Sequence, residues 1–270
     1  MDTYEKIPKA RFYFDDLYIE KRPSFYDFLR SGWQMSLTVD VDFTGSNGDP
    51  ADSSSLHYRN PSGQLNQYET ALMNVGSILV NYDSDQLIPA FGFGGVPGYF
   101  GTGEVSHCFH LNGQENPLWI GVKGLIEAYK FSLANVGLSG PTYFSPLLGV
   151  FNDFVVKNLS NAIYNIIMIL TDGDIHDMPQ TKSLIVAASA MPVSIIIIGV
   201  GDSSFELMTE LDADKGVLRD NFGNQAARDI VQFVKFSDYT AKGFHALSEE
   251  VLKEVPNQVI DYLIKNKIQV

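Results

Sequence analysis

The chain has a single cysteine, Cys108, and few positive charges. One cysteine excludes an internal disulfide and a zinc centre built from several thiolates, and it fits a reducing compartment. The 19 Lys and Arg residues stand against 32 Asp and Glu, which leaves a formal net charge of −13. Because nucleic acids and anionic membrane surfaces are bound through clustered Lys and Arg, we expect no nucleic-acid partner and no unaided electrostatic docking to a membrane.

Long apolar runs are also missing. No apolar run reaches the roughly 18 residues needed to cross a bilayer. Met1 is followed by Asp2, Glu5 and Lys6 rather than by a basic segment and an apolar stretch, so we expect no secretory signal and a cytosolic location. The 45% of hydrophobic residues and 12% of aromatic residues supply enough material for the packed core of one large domain.

From residue 25 onward, short Ile- and Val-rich runs alternate with segments of helical periodicity. The runs predicted as strands are 35–42, 88–93, 105–111, 163–170, 193–200 and 230–236. The segments predicted as helices are 68–82, 119–133, 181–190, 206–211 and 247–264. Strands without a polar stripe, separated by helices, predict a doubly wound, mostly parallel six-stranded sheet flanked by helices.

A polar turn follows the first of these strands. It reads Asp42-Phe43-Thr44-Gly45-Ser46 and combines one carboxylate with two hydroxyls. This hard oxygen set suits Mg²⁺ or Mn²⁺. Two further polar turns, at 140–142 with Thr142 and at 171–173 with Asp172, can meet it at one edge of the sheet, where ligands bind in such folds.

Together the three turns resemble the metal-ion-dependent adhesion site of von Willebrand factor type A domains. The pattern of that site is D-x-[ST]-x-S with a distant Thr and a distant Asp. Longer segments resemble the copine family in particular. These segments are 42–50, 55–58, 82–85, 89–94, 140–142 and 228–234, with 254–256 and 258–259 near the end.

The resemblance implies a type A domain over 25–270, preceded over 1–24 by a linker or by the last strand of a lipid-binding module. It assigns one set of residues to Mg²⁺ or Mn²⁺, some directly and others through water: Asp42, Thr44, Ser46, Thr142 and Asp172. Hydroxyl ligands are neutral, so the cation stays electrophilic and an acidic side chain of a partner protein can complete its shell. Such a site serves recognition, and we expect no enzymatic activity.

Copines resemble a pair of calcium-dependent phospholipid-binding modules followed by a type A domain. The resemblance therefore implies a cytoplasmic protein, peripherally associated with membranes, that recruits intracellular protein partners. Binding of Ca²⁺ and of membrane phospholipids would belong to the preceding modules. Resemblance to integrin-type domains further implies that the helix predicted over 247–264 shifts when the metal site is occupied.

Two residues depart from the family pattern, and one of them supports an alternative. Asp40 stands where the family tends to have a small apolar residue, and His176 where a small polar residue is typical. Asp40-Val41-Asp42-Phe43-Thr44 also satisfies the D-x-D-x-T signature of haloacid dehalogenase-like, Mg²⁺-dependent phosphatases. In that case Asp40 would be the nucleophile and Asp42 the acid and base, with downstream motifs at Thr171, Lys182 and Asp202.

Two further alternatives stay open. The chain resembles the type A domain of copine-like ubiquitin ligases, although one cysteine cannot hold their RING zinc module. The polar residues at the strand ends could also cap exposed backbone N–H groups without holding a metal.

Overall fold

The structure is a computed structural model that describes residues 22–83, 85–213, 216–240, 242 and 244–269. The prediction for residues 1–24 falls almost entirely outside the described residues. The strands are β1 Gln34–Asp42, β2 Leu87–Phe93, β3 Gly95–Pro97, β4 Phe109–His110, β5 Leu118–Ile120, β6 Val136–Leu138, β7 Ile163–Thr171, β8 Val193–Gly199 and β9 Val231–Lys235. The helices are α1 Phe25–Arg30, α2 Gln67–Leu79, α3 Gly121–Asn135, α4 Ser145–Lys157, α5 Met178–Ala188, α6 Glu206–Asp212, α7 Ser237–Thr240, α8 Phe244–Leu252 and α9 Val255–Lys265.

The main sheet has the strand order β4-β2-β1-β7-β8-β9, and the short strand β5 also pairs with β2. The five strands from β2 to β9 in this order run parallel, whereas β4 and β5 are antiparallel to β2. The prediction of a mostly parallel, doubly wound sheet is confirmed, but the described residues form seven strands in it rather than the predicted six, because β5 adds a short antiparallel strand to β2. The chain runs from β1 to β2 on one side and later to β7 on the other, so the strand order reverses beside β1.

Helices cover both faces of the sheet, and each face has its own apolar cluster. Leu37, Val39 and Val41 of β1 pack on one face with α2, α3, α8 and α9. Ile167 and Ile169 of β7 point to the other face, towards α4, α5 and α6. The central strands are therefore apolar on both sides, as expected of a sheet covered on both faces.

Helix α4 was not predicted from the sequence. Gly149 and three valines, including Val150 and Val155, lower its intrinsic helix propensity. Its buried side chains nevertheless recur at helical spacing, at Leu147, Leu148, Phe151 and Val155. Tertiary packing on the sheet thus outweighs the weak local preference.

The strand predicted over 105–111 shortens to β4. Strand β2, with which it pairs, ends before Gly94, which adopts a φ of +73°, and the chain turns there into β3. Ser106 pairs with Gly95 by backbone hydrogen bonds, and only Phe109–His110 pairs with β2. The interrupted partner strand therefore limits the pairing to two short stretches.

The single helix predicted over 247–264 is also wrong, because two helices occupy this region. Helix α8 ends at Leu252 and α9 begins at Val255. Pro256 has no N–H to donate to the carbonyl of Leu252, and its ring would clash with that carbonyl in a continuous helix. Proline is tolerated at the second position of α9, where no intrahelical donor is required.

Candidate metal centre

Asp42 ends β1 at the carboxyl edge of the sheet and accepts three hydrogen bonds. Its Oδ1 atom accepts from the Thr44 backbone N–H at 2.8 Å and from the Thr44 hydroxyl at 2.6 Å. Its Oδ2 atom accepts from the Thr171 hydroxyl at 2.7 Å. Asp42 is fully buried. These three donors hold its carboxyl group in one orientation.

Two hydroxyls connect Asp42 to the second carboxylate. The hydroxyl oxygens of Thr44 and Ser46 lie 3.0 Å apart, and the Ser46 hydroxyl donates to Asp172 Oδ1 at 3.0 Å. Asp172 directly follows β7, the neighbour of β1. Adjacent parallel strands therefore bring four of the five predicted residues into one hydrogen-bonded chain, and exposed Ser46 opens this chain to solvent.

Thr142, the fifth predicted residue, is buried on the loop beside this chain. Its carbonyl accepts from the His176 backbone N–H at 2.9 Å, and Ser139 O accepts from the Gly45 N–H at 2.6 Å. The loop is thus tied to the two loops that carry the carboxylates. Among the hydrogen bonds of the described residues, none joins the Thr142 hydroxyl to the other four side chains.

The two hydroxyls do not have enough hydrogen atoms to fill every contact in this network. Thr44 donates its hydroxyl hydrogen to Asp42, and Ser46 donates its hydroxyl hydrogen to Asp172. Each hydroxyl has one hydrogen, so none remains for the 3.0 Å contact between the two hydroxyl oxygens. Their lone pairs face each other, which is favourable when a cation or a further proton shares the site.

The charges of the two carboxylates are not balanced. Over the described part of the chain, the ion pairs join Lys130 to Glu69, Lys182 to Glu210 and Lys253 to Glu250, and none includes Asp42 or Asp172. Burial, followed by the like charge of Asp172, raises the pKa of Asp42 to about 7, although the bonds from Thr44 and Thr171 oppose this rise. Burial also raises the pKa of Asp172.

The donor set fits a hard divalent cation. Carboxylate and hydroxyl oxygens suit Mg²⁺ or Mn²⁺, and a cation would supply the missing positive charge. No group of three or more His, Cys, Asp and Glu residues suited to a metal occurs in the described ranges. A site at this edge would accordingly depend on two carboxylates supplemented by neutral hydroxyls.

Several groups that support Asp42 were not predicted from the sequence. His57 lies under the site, with Nε2 at 2.9 Å from Asp42 O and Nδ1 at 2.7 Å from the Tyr129 hydroxyl. Its ring stacks on Tyr68 with centroids 4.2 Å apart, and Tyr68 donates to the Asn47 side chain at 2.7 Å. Burial lowers the pKa of His57 to about 4, so the ring is neutral at neutral pH.

Gly94 explains the close approach of β2 to the site. It adopts a φ of +73°, which disfavours any residue with a side chain, and a Cβ there would overlap the Thr44 methyl group. The copine-like segments at 55–58 and 89–94 contain both His57 and Gly94. Their position in these segments was the sequence feature that could have pointed to them, but the sequence alone did not indicate what His57 or Gly94 does.

Asp40 does not join the metal centre. It is buried, burial raises its pKa to about 8, and its Oδ1 has no hydrogen-bond partner among the described residues. A phosphatase nucleophile must be ionised before it attacks, whereas burial favours the protonated form of the Asp40 carboxyl. Lys182 pairs with Glu210 away from the carboxylates, so nothing here supports the phosphatase alternative.

His176 is exposed and contributes its backbone N–H to the Thr142 carbonyl rather than a ring nitrogen to the carboxylates. A metal role for this side chain therefore has no structural support.

The described residues contain no helix long and apolar enough to cross a membrane.

The fold is an α/β domain with a doubly wound sheet, and its carboxylate and hydroxyl oxygens gather at the reversal of strand order, where such domains bind ligands. Comparison with known proteins identifies its family. The copine family model matches residues 55–270, and the chain belongs to the copine family.

One relative is Copine-A of Dictyostelium discoideum, which is 42% identical over 257 residues. The match covers 94% of this chain and 42% of the length of Copine-A. The chain thus spans about two fifths of this curated relative.

Solved structures resemble the chain more distantly. Manganese-loaded TRAP protein of Plasmodium vivax has a TM-score of 0.45 and 16% identity, over 77% of this chain and 71% of that protein. Proximal thread matrix protein 1 from the mussel byssus has a TM-score of 0.43 and 15% identity, over 81% of this chain and 46% of that protein.

Proposed function

We propose that this chain is a divalent-cation-dependent protein-interaction domain of a copine. Asp42, Thr44, Ser46, Thr142 and Asp172 hold Mg²⁺ or Mn²⁺ in this proposal, and an acidic side chain of an intracellular partner completes the metal shell. The observation that carries it is the pair of carboxylates that share a hydroxyl chain without a positive partner.

The position of Ser46 supports recognition of a partner. Ser46 is exposed while Asp42 and Thr44 are buried, so a cation held between them reaches solvent on the Ser46 side. Metal chemistry then supplies the attraction, because a cation with neutral hydroxyl ligands retains affinity for a further carboxylate. On this basis the domain binds and does not catalyse.

Family membership extends the proposal to the whole protein. Calcium-dependent binding of membrane phospholipids is assigned to parts of a copine other than this domain, and the domain then recruits protein partners to that membrane. A cytoplasmic, peripherally membrane-associated location follows from the same proposal.

The test is calorimetric titration of Mg²⁺ and Mn²⁺ into the wild type, Asp42→Ala and Ser46→Ala. We expect loss of binding with Asp42→Ala and a weakening of about tenfold or more with Ser46→Ala. Ser54→Ala is the matched control, because Ser54 is an exposed serine of the following loop that hydrogen-bonds Asp52. Unchanged metal binding in Asp42→Ala would exclude this site.

Two further measurements distinguish the proposal from its alternatives. Addition of acetate to the Mn²⁺-loaded domain should lower the water-proton relaxivity of the bound ion, because a carboxylate displaces a coordinated water. Hydrolysis of a generic phosphate ester should stay at the background rate. Mg²⁺-dependent turnover that disappears with Asp40→Val would establish the phosphatase instead.

A further inference from the structure

A cavity of about 490 Å³ lies on the opposite side of β1 from His57, between the β1–β2 part of the sheet and helix α4. Ser36, Thr38 and Asp40 of β1 form its floor, and Val150 and Phe154 of α4 form one wall. Its size is in the range of small-molecule binding sites. The cavity is separate from the metal centre, whose side chains are not among those that line it.

The two faces of β1 differ in polarity. Alternate residues of a strand face opposite sides of the sheet, and the side with Leu37, Val39 and Val41 is apolar. The cavity side is polar. A strand buried on both faces is normally apolar on both, so the floor of the cavity departs from the rest of the sheet.

Helix α4 leaves apolar surface open at the same place. Val150 is 50% exposed and Phe154 is 45% exposed, although both line the cavity. Leu87, Pro89 and Phe91 of β2 continue the apolar lining on the other side. The cavity therefore combines an apolar wall with a polar floor, which suits an amphiphilic ligand rather than water alone.

Asp40 contributes an unpartnered carboxyl oxygen to the lining of this cavity. The residue is 2% exposed, and its Oδ1 atom has no hydrogen-bond partner among the described residues. A buried polar atom without a partner is costly, and such atoms are rare in folded proteins. A hydrogen-bond donor from a bound molecule would remove that cost.

The charged residues that line the cavity favour a ligand with a positive charge. Asp83 and Asp85 lie with Asp40 in the lining, and no Lys, Arg or His occurs among its described residues. The Asp83 carboxylate accepts from the Leu37 backbone N–H, three residues before Asp40 on β1. At the rise of a strand, Asp40 lies about 10 Å further along the cavity.

We propose that this cavity binds a small molecule with an apolar body and an amine, and that the amine donates to Asp40. An amine supplies the hydrogen that Asp40 Oδ1 lacks and is attracted by the acidic lining. Asp83 and Asp85 in the lining disfavour an anionic ligand. The apolar body packs against Val150, Phe154 and the β2 side chains.

The experiment is titration of n-octylamine into the domain, followed by calorimetry, with octan-1-ol and octanoate as matched ligands of the same chain length. We expect octylamine to bind, octan-1-ol to bind more weakly and octanoate not to bind. Asp40→Val should weaken octylamine binding by about ten- to a hundredfold, because it removes a charge-assisted hydrogen bond, and should change octan-1-ol binding less. Valine suits a buried strand, so this variant should fold.

A second pair of variants tests the location without touching Asp40. Val150→Trp should obstruct the cavity and abolish octylamine binding. Val156→Trp is its control, because Val156 is 54% exposed on the same helix and does not line the cavity. Octylamine affinity that is equal in Val150→Trp and the wild type, or octanoate binding as tight as octylamine binding, would overturn the proposal.

Discussion

His57 should make the stability of this domain depend on pH in a way that a single substitution removes. The ring is buried and stacked on Tyr68. Since a carbonyl only accepts, Nε2 donates to Asp42 O, which leaves Nδ1 to accept from the Tyr129 hydroxyl. This arrangement uses the neutral imidazole. Burial lowers the pKa of His57 to about 4, and the hydrogen bond to the Asp42 carbonyl opposes this shift only in part.

The direction and size of the effect follow from linkage between protonation and folding. The pKa of an unfolded histidine is about 6.5, so between that value and about 4 the unfolded chain binds more protons than the folded one. Stability from His57 is complete above the unfolded pKa and is lost as pH falls towards the folded value. Between about pH 8 and about pH 5 the loss is about 2 kcal/mol.

The assay is urea unfolding of the wild type and His57→Gln at both pH values, with a chelator present. Glutamine keeps a donor and an acceptor but does not titrate in this range. The raised pKa values of Asp40 and Asp42 act in the opposite direction, and they cancel when the two proteins are compared. The wild type should lose about 2 kcal/mol more than His57→Gln on acidification. Equal losses in both proteins would refute the reasoning.

Two further substitutions probe how the metal centre is held in place. Thr171→Val removes the hydroxyl that donates to Asp42 Oδ2 and should weaken Mn²⁺ binding by about ten- to a hundredfold without removing a ligand, as measured by calorimetry; an unchanged affinity would contradict the positioning role. Gly94→Ala should both destabilise the domain and weaken Mn²⁺ binding, because its Cβ meets the Thr44 methyl group. Gly101→Ala is the matched control for thermal unfolding and Mn²⁺ titration, since Gly101 has a similar φ of +69° but open space around it, and equal effects of the two alanines would disprove the contact.

The site residues that could be located from the sequence lie at the ends of apolar strands. Strand ends follow directly from apolar runs, so Asp42 and Asp172 were assigned to one edge of the sheet and their loops meet there. The metal role of these residues stays a prediction. Thr142 was assigned through the family resemblance, and its loop lies beside the others without a hydrogen bond from its hydroxyl to them among the described residues.

The remaining features depend on contacts between distant parts of the chain. His57 supports Asp42 from a loop, and no local pattern distinguishes a buried loop histidine from an exposed one. Asp40 and Asp42 follow the same strand pattern, yet one carboxyl is held by three donors and the other faces a cavity. Such differences are set by neighbouring elements such as α4, whose existence the sequence did not reveal.

The break between α8 and α9 separates the C-terminal region into two helices that are anchored independently. Gln258 fixes α9 to the sheet, because its side chain accepts from the Ser194 hydroxyl at 2.5 Å and its carbonyl accepts from buried Arg228 at 3.2 Å. The Arg228 guanidinium also stacks on the Tyr262 ring at 5.5 Å. A continuous helix would move as one rigid body, whereas the break at residues 253–254 leaves α8 and α9 held by separate contacts. We therefore predict that a displacement of α8 leaves α9 docked.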